Sequence, residues 1–302
     1  MKGIVLVNAY IRAAGMLRQA ERMAEELRRA GLEAEVVKNG EILSDVRENT
    51  ITAARKYDFA VYLDKDKYLP RMLEKRGMRL FNSAQAVELC DDKMLTMIAL
   101  AGGGVNLPDT VPAPLCYYPD AQIGEDYVRR IGERLGFPLV VKKSFGSWGM
   151  DVRLAKDGKE LLAAAEAFKL FPHLYQKKLG KEGEDYRILV VGGKAVACMR
   201  RKNEHDFRSN IEAGGRGYPA CPPRAFYEAA ERCAAILKLD YCGVDILDEC
   251  GTPYVCEVNS NALFNEAERV TGINVAGAYA EYIAKEMRKE RINEAFLPRT
   301  DV

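Results

Sequence analysis

Histidine is almost missing from this 302-residue chain, which holds only His173 and His205 and so offers little basis for a histidine-rich metal centre or a histidine-based catalytic dyad. The eight cysteines (Cys90, Cys116, Cys198, Cys221, Cys233, Cys242, Cys250 and Cys256) include no C-x-x-C pair, and no histidine is spaced to complete a zinc site. They read as buried, reduced thiols. No stretch reaches the roughly 18 apolar residues of a membrane span, and the apolar run after Met1 is too short for a secretory signal. The expectation is a cytoplasmic protein with no membrane partner. A net charge of +1 gives no overall pull toward nucleic acid, so any anion site must be a local cluster. Two glycine fingerprints are absent as well: no G-x-G-x-x-G follows the first strand, and no G-x-x-x-x-G-K-[ST] occurs anywhere. The chemistry must rest on carboxylates, Lys, Arg and backbone.

What is present is ordinary core-forming material, 48% hydrophobic and 29% charged, in a length that suggests two domains. Residues 1–90 alternate strand and helix: strands at Gly3 to Val7, Glu33 to Val37, Phe59 to Leu63 and Arg79 to Phe81, and helices at Met16 to Ala30, closed by Gly31, and near Tyr68 to Lys75. That pattern predicts a small parallel α/β domain. Two helical segments run from Ala84 to Leu100, and the second unit begins near Asp91. From 91 to 290 the order changes, with strands at Leu139 to Lys142, Val152 to Ala155 and His173 to Lys177, and a helix at Gly158 to Phe168. Strands at Tyr186 to Val191 and Lys194 to Met199 surround the turn Gly192-Gly193, and after a helix at Arg224 to Leu237, strands at Gly243 to Leu247 and Tyr254 to Val258 flank Cys250-Gly251. Tight turns between paired strands imply antiparallel sheets and an α+β unit. Residues 291–302 read as a tail.

Four clusters can carry chemistry. The strand ending at Lys142 enters a loop with Gly146, Ser147 and Gly149, where small residues let backbone N–H groups approach a polyphosphate beside a fixed cation. A hairpin turn that simply needs glycine is the bland alternative. Asp245 lies on one apolar strand, with Glu257 and Asn259 two apart on the next and hence on one face. Charges on such strands are costly to fold unless paired or bound to a cation, and three oxygen ligands there suit Mg²⁺. A surface-facing polar stripe is the other reading. Arg200 and Arg201 precede Arg208 and Asn210, which alternate on an extended segment and offer a fork donor and an amide for phosphate or carboxylate. A solvated charged loop would look the same. Finally, Tyr175 to Leu179 ends a strand whose edge could bond a nucleobase through its backbone, and Glu184, Asp185 and Arg187 follow, so that a nearby carboxylate can take ribose hydroxyls.

In order and spacing these clusters resemble the ATP-grasp superfamily, and within it the RimK-type amino-acid ligases. The matches are Asn82-Ser83 with Asp92-Lys93, Val140 to Gly149, Asp206 to Asn210 with Gly214-Gly215, Gly243 to Asp245, Glu257 to Asn259, and Thr271 to Gly277. The resemblance implies a small pre-ATP-grasp domain followed by an ATP-grasp fold of two α+β subdomains. It implies an ATP-dependent ligase that forms an amide through an acyl phosphate, adding an amino acid such as L-glutamate to a carboxylate acceptor. Lys93, Lys142 and Arg208 would meet the phosphates, Gly146, Ser147 and Gly149 would cover them, and Gln176, Lys177, Lys178 and Leu179 would form the adenine hinge. Asp185 would bind ribose, and Asp245, Glu257 and Asn259 would hold Mg²⁺, with Mn²⁺ as a substitute. Lys142 and Arg208 would be catalytic, and Arg200, Arg201 and Asn210 would meet substrate. Two departures stand out: Lys177 replaces an acidic hinge residue, and Met150-Asp151 replaces a glycine that often extends the loop.

Three rivals stay open. One is a ligase of the same superfamily acting on another small molecule or a carrier protein, and another is a nucleotide-binding regulatory module without catalysis. The third, a redox enzyme, is opposed by the missing glycine fingerprint. The expected partners are a small-molecule or peptide carboxylate and an amino-acid donor, with a homo-oligomer left open.

Overall fold

A computed structural model describes residues 1–53, 57–147 and 149–296. The first unit holds β1 (Lys2–Val7), α1 (Ala14–Arg29), β2 (Glu33–Lys38), β3 (Ser44–Arg47), β4 (Thr50–Ala53), β5 (Phe59–Tyr62), α2 (Leu69–Lys75), β6 (Arg79–Phe81) and α3 (Ala84–Asp91). Its main sheet has the order β2-β1-β5-β6 and is parallel throughout. A parallel sheet is covered on both faces, which is why Ile4, Val5, Leu6 and Val7 are all buried without alternation. Gly3 sits against the Phe59 ring so closely that a Cβ there would lie 2.1 Å from it. On α1, Ala20, Met23, Ala24 and Leu27 form the buried stripe of a surface helix. The helix ends where Gly31 takes φ +84 and the Leu32 N–H reaches the Leu27 carbonyl at 3.0 Å.

The chain continues through α4 (Lys93–Leu100), β7 (Thr110–Pro112), α5 (Glu125–Leu135), β8 (Leu139–Lys143), β9 (Val152–Ala155), α6 (Gly158–Phe168) and β10 (His173–Lys177). Its antiparallel sheet has the order β7-β10-β8-β9, with α5 and α6 packed on one face around Leu139, Val141 and Tyr175. Then come β11 (Glu184–Val191), β12 (Lys194–Lys202), β13 (Arg216–Pro219), α7 (Arg224–Leu237), β14 (Tyr241–Glu249), β15 (Thr252–Asn259), α8 (Asn265–Thr271) and α9 (Val275–Phe296). The second antiparallel sheet runs β13-β12-β11-β14-β15. The mixed architecture is the one the residues imply, a parallel sheet followed by two antiparallel ones.

Several particulars differ from the sequence reading. The β3–β4 hairpin, β7, α5 and β13 were not anticipated; the first, second and fourth are short and polar or contain proline, but α5 buries Val128, Ile131 and Leu135 at helical spacing, a signal that was there to be read. The supposed tail at 291–302 begins inside α9, and 297–302 lie outside the described residues. The helix returns to the first unit: Val275, Tyr279 and Ile283 share one core with Met23, Leu27 and Phe81 and with Leu189 and Met199 of the second antiparallel sheet. Cys90, Cys198, Cys233 and Cys242 are buried as expected, with burial pushing the Cys90, Cys198 and Cys233 thiols up to about 12, but Cys221 and Cys250 are exposed. Among the described residues no helix is long and apolar enough to cross a membrane.

Candidate functional site

Between the two larger antiparallel sheets lies a cleft of about 110 Å³. Its first wall is β8, where alternation sends Leu139 and Val141 into the core and Val140 and Lys142 into the cleft. Lys142 is nearly buried; its Nζ donates to Gln176 Oε1 at 2.8 Å and to Cys256 Sγ at 3.4 Å. Burial pushes the Cys256 thiol up, against the pull of Lys142. Lys93 enters from the start of α4, which Asp92 caps by accepting from the Met94 and Leu95 N–H groups at 2.9 and 3.1 Å. From there Lys93 Nζ reaches the Gly146 carbonyl at 2.8 Å and stands 3.6 Å from Glu257 Oε1. The quoted pairs Asn82-Ser83 and Asp92-Lys93 thus open two helices, since Ser83 caps α3 by accepting from the Ala86 N–H.

The glycine loop after β8 crosses the cleft, with Trp148 outside the described residues. Gly149 takes φ +70, and a Cβ there would lie 3.0 Å from Asn210 Oδ1 and 3.1 Å from Arg208 Cδ. Only glycine lets the loop approach those side chains so closely. Arg208 Nη1 donates to the Gly149 carbonyl at 2.6 Å, while its Nε and Nη2 grip Asp206 at 3.0 and 2.6 Å. That fork holds the Asp206 carboxyl below the usual carboxylate range. Residues 206–210 form a loop and not the extended segment expected, yet both Arg208 and Asn210 line the cleft. The departure at Asp151 has a physical reason: its Oδ1 lies 2.8 Å from Lys143 Nζ, and its carbonyl accepts from the Lys143 N–H, so it anchors the far end of the loop to β8.

At the outer end, Gln176, Lys177, Lys178 and Leu179 all line the cleft. β10 is an interior strand, paired with β7 and β8, and its last N–H, on Lys177, donates to the Asp109 carbonyl. Gln176 and Lys177 therefore end an interior strand with no free edge, and Lys178 and Leu179 follow it.

The opposite wall is one face of the second antiparallel sheet. Register sets Asp185 opposite Arg201, Arg187 opposite Asp245, and Asp245 opposite Glu257, with Asn259 opposite Gly243. Arg201 is 1% exposed; its Nε lies 2.7 Å from Asp185 Oδ1, and its Nη2 bonds Asp185 and also lies 2.9 Å from Asp245 Oδ2. Arg187 grips Asp245 from the other side, and Ser209 Oγ donates to Asp185 at 2.6 Å. Burial alone would push Asp245 up, but the two guanidiniums hold it below the usual range. The same two carboxylates raise Arg201 against its own burial.

This places Arg201 as an internal brace, not a cation open to substrate. Arg200, one residue along the strand, projects to the other face of the sheet, over the Tyr218 ring at 5.9 Å, and lines a separate groove with Tyr186 and Gly251. Ser209 and Cys256 carry no role in the sequence reading, where Arg187 is named only as following Asp185. The alternation of Asp185 and Arg187 at the start of a strand that runs on into Ile, Leu and Val was the available signal for Arg187.

The oxygen set fits a hard divalent cation. Among the described residues no three Asp, Glu, His or Cys side chains gather as a metal site, so a third side-chain ligand beside Asp245 and Glu257 would have to be an amide such as that of Asn259. That amide has a buried Nδ2 with no partner. Which amide atom is oxygen is a matter of assignment, and a half-turn puts Oδ1 there as a ligand. An ionised carboxylate has about four acceptor positions. On Asp245 the bonds from Arg187 and Arg201 leave room on Oδ1, while the Glu257 side chain stays 23% exposed to the cleft.

Comparison with known proteins follows the same line. The family model described as RimK-like ATP-grasp domain matches residues 90–283. The chain is 35% identical over 238 residues to human beta-citrylglutamate synthase B, covering 77% of this chain but only 60% of that protein. It is 34% identical over 228 residues to a probable alpha-L-glutamate ligase of Psychromonas ingrahamii, covering 74% of this chain and 73% of the relative. Among solved structures, a RimK domain ATP-grasp protein from Sphaerobacter thermophilus superimposes with a TM-score of 0.69 at 19% identity, covering 93% of this chain and 99% of that one.

Proposed function

The chain belongs to the RimK-like ATP-grasp family, and on that premise we propose that it is an ATP-dependent carboxylate–amine ligase that joins an amino acid to a carboxylate acceptor. The observation that carries this reading is the convergence of Lys93, Lys142, Arg208 and the glycine loop with Asp245 and Glu257 on one cleft, with Asn259 two residues beyond Glu257 on the same strand face. A carboxylate does not acylate an amine at neutral pH without a better leaving group, and phosphoryl transfer from ATP supplies one. Lys93 and Lys142 stand where they can bind phosphate oxygens, and Arg208 can hold the transferring group in a bidentate grip. Glu257, Asn259 and the open position on Asp245 would hold Mg²⁺, or Mn²⁺ in its place. When bound, the ion spreads the charge of adjacent phosphate oxygens. Residues 176–179 would seat the base. Asp185, already fixed by Arg201 and Ser209, would take the ribose, and Asn210 would face the acceptor.

L-glutamate is the proposed amine, because both relatives carry glutamate in their names. The acceptor is a small-molecule or peptide carboxylate, and the free thiols suit a reducing cytoplasm. The test is ADP release with Mg²⁺, ATP and a panel of amino acids crossed with candidate acids, followed by mass spectrometry. The reading requires ADP release that depends on both substrates and a product heavier by one amino-acid residue. ADP release that no acid or amine affects, with no amide formed, overturns it.

A further inference from the structure

The glycine loop is held by four cations from three parts of the chain. Lys93 takes the Gly146 carbonyl and Arg208 takes the Gly149 carbonyl, both from the second unit. The other two come from the first. Lys65 Nζ donates to Ser147 Oγ at 3.0 Å while pairing with Asp91 Oδ1 at 3.0 Å, and Lys67 Nζ stands 4.4 Å from the centre of the Phe145 ring. Both lysines lie just past the carboxyl end of β5, the side of an open parallel sheet at which ligands gather.

Their position is itself fixed. Asp64 is 9% exposed and accepts from Asn8 Nδ2, from Asn39 Nδ2 at 2.7 Å and from the Lys65 N–H at 2.8 Å. Those asparagines follow β1 and β2, so the carboxyl ends of three parallel strands are tied to the residue that carries Lys65. A bonded path runs from that edge through Lys65 to Ser147 over the cleft.

We propose that Lys65 is a positioning residue for the ligation, holding Ser147 so that the loop keeps water from the activated acyl group. This rests on the ligase reading above. If the loop is displaced, water replaces the amine at the acyl carbon; the carbon–oxygen bond to phosphate breaks, and the free acid and inorganic phosphate leave. ATP is then consumed without an amide being formed.

The measurement is amide formed per ADP released, with the purified full chain and the substrate pair identified by the panel above. Lys65→Ala should lower that ratio by roughly three- to tenfold, the size expected for one partly exposed charge-assisted contact. Lys65→Arg should restore most of it. Ser147→Ala should lower it similarly, and the double variant no further, because both remove one contact. Lys65 is about a third exposed, so its loss should leave the fold intact, which circular dichroism and thermal unfolding check. A Lys65→Ala protein that makes amide and ADP in the wild-type ratio overturns the inference, as does an equal fall of both rates with a lowered melting temperature. Wild-type protein that releases no substrate-dependent ADP refutes the ligase reading instead.

Discussion

Arg187 grips Asp245 with both arms of its guanidinium, Nε to Oδ1 and Nη2 to Oδ2, each at 2.7 Å. Asp245 is therefore largely engaged by protein, and Glu257, opposite it in register and facing Lys93, keeps the more open carboxylate of the two.

Glu257→Gln should abolish ligation and leave the fold intact, because it removes the ligand charge at nearly constant volume. Turnover measured across a Mg²⁺ titration, with circular dichroism as the control, checks this. Near wild-type turnover at saturating Mg²⁺ would mean that the metal assignment is wrong.

Lys142→Ala removes a fixed cation from the cleft wall and leaves Gln176 Oε1 without its donor. ATP affinity or turnover should fall by roughly 10- to 100-fold, the loss expected for one or two charge-assisted contacts. Calorimetric ATP binding beside steady-state ADP release is the test, and unchanged values would reduce the glycine loop to a plain turn.

Arg208→Lys should act on the rate more than on nucleotide affinity. Lysine keeps the charge but cannot hold Asp206 with two nitrogens and the Gly149 carbonyl with a third. Turnover should drop by roughly 10- to 1,000-fold, as expected for a contact made mainly in the transition state. If ATP binding collapses while turnover at saturation holds, Arg208 is an ordinary nucleotide contact.

Asn82→Ala should be the most damaging single change outside the cleft. The amide is 1% exposed; Nδ2 donates to the Tyr241 and Ser260 carbonyls at 2.7 and 2.8 Å, and Oδ1 accepts from the Asp240 and Tyr241 N–H groups at 2.7 and 3.0 Å. Alanine leaves four buried backbone groups unpaired, for a loss of about 3 kcal/mol or more. Urea unfolding measures it, and a loss below ~1 kcal/mol would show that water replaces the amide.

His173 gives a pH dependence of stability. Burial lowers its pKa below 6.5, against the bond to the Phe171 carbonyl, and its Nε2 meets Tyr175 Oη at 3.0 Å. The unfolded chain binds the proton more readily than the folded one. The contribution is thus complete above pH 6.5 and is lost as pH falls from there toward the folded value. Thermal unfolding of wild type and His173→Gln from pH 7.5 to 5 should show a steeper decline in the wild type, and parallel curves would refute the assignment.

Much of the fold was legible because local rules decided it. β9, α6, β10 and α7 have the bounds that apolar spacing and flanking glycines or prolines imply, since each element buries one face against a neighbour close in sequence. The turns at Gly192-Gly193 and Cys250-Gly251 are tight hairpins in which all four residues take positive φ. β3, β4, β7 and β13 escaped because three or four residues with little apolar character carry no period to read.

The sequence by itself determined which groups were available: a chain nearly without histidine, with cations before glycines and carboxylates on apolar strands, has few other chemistries open to it. It also set Asp245 and Glu257 on strands that could face each other. The tertiary structure decided which of those groups remain usable. Arg200 and Arg201 are adjacent in sequence, yet strand alternation turns one away from the cleft and buries the other between Asp185 and Asp245. Lys65 shows the converse, since 82 residues separate it from Ser147 and only the packing of the first sheet beside the cleft brings them to 3.0 Å. Which face of a strand meets the cleft, and which distant segments touch, depend on register and packing, and neither is encoded in residue type or local spacing.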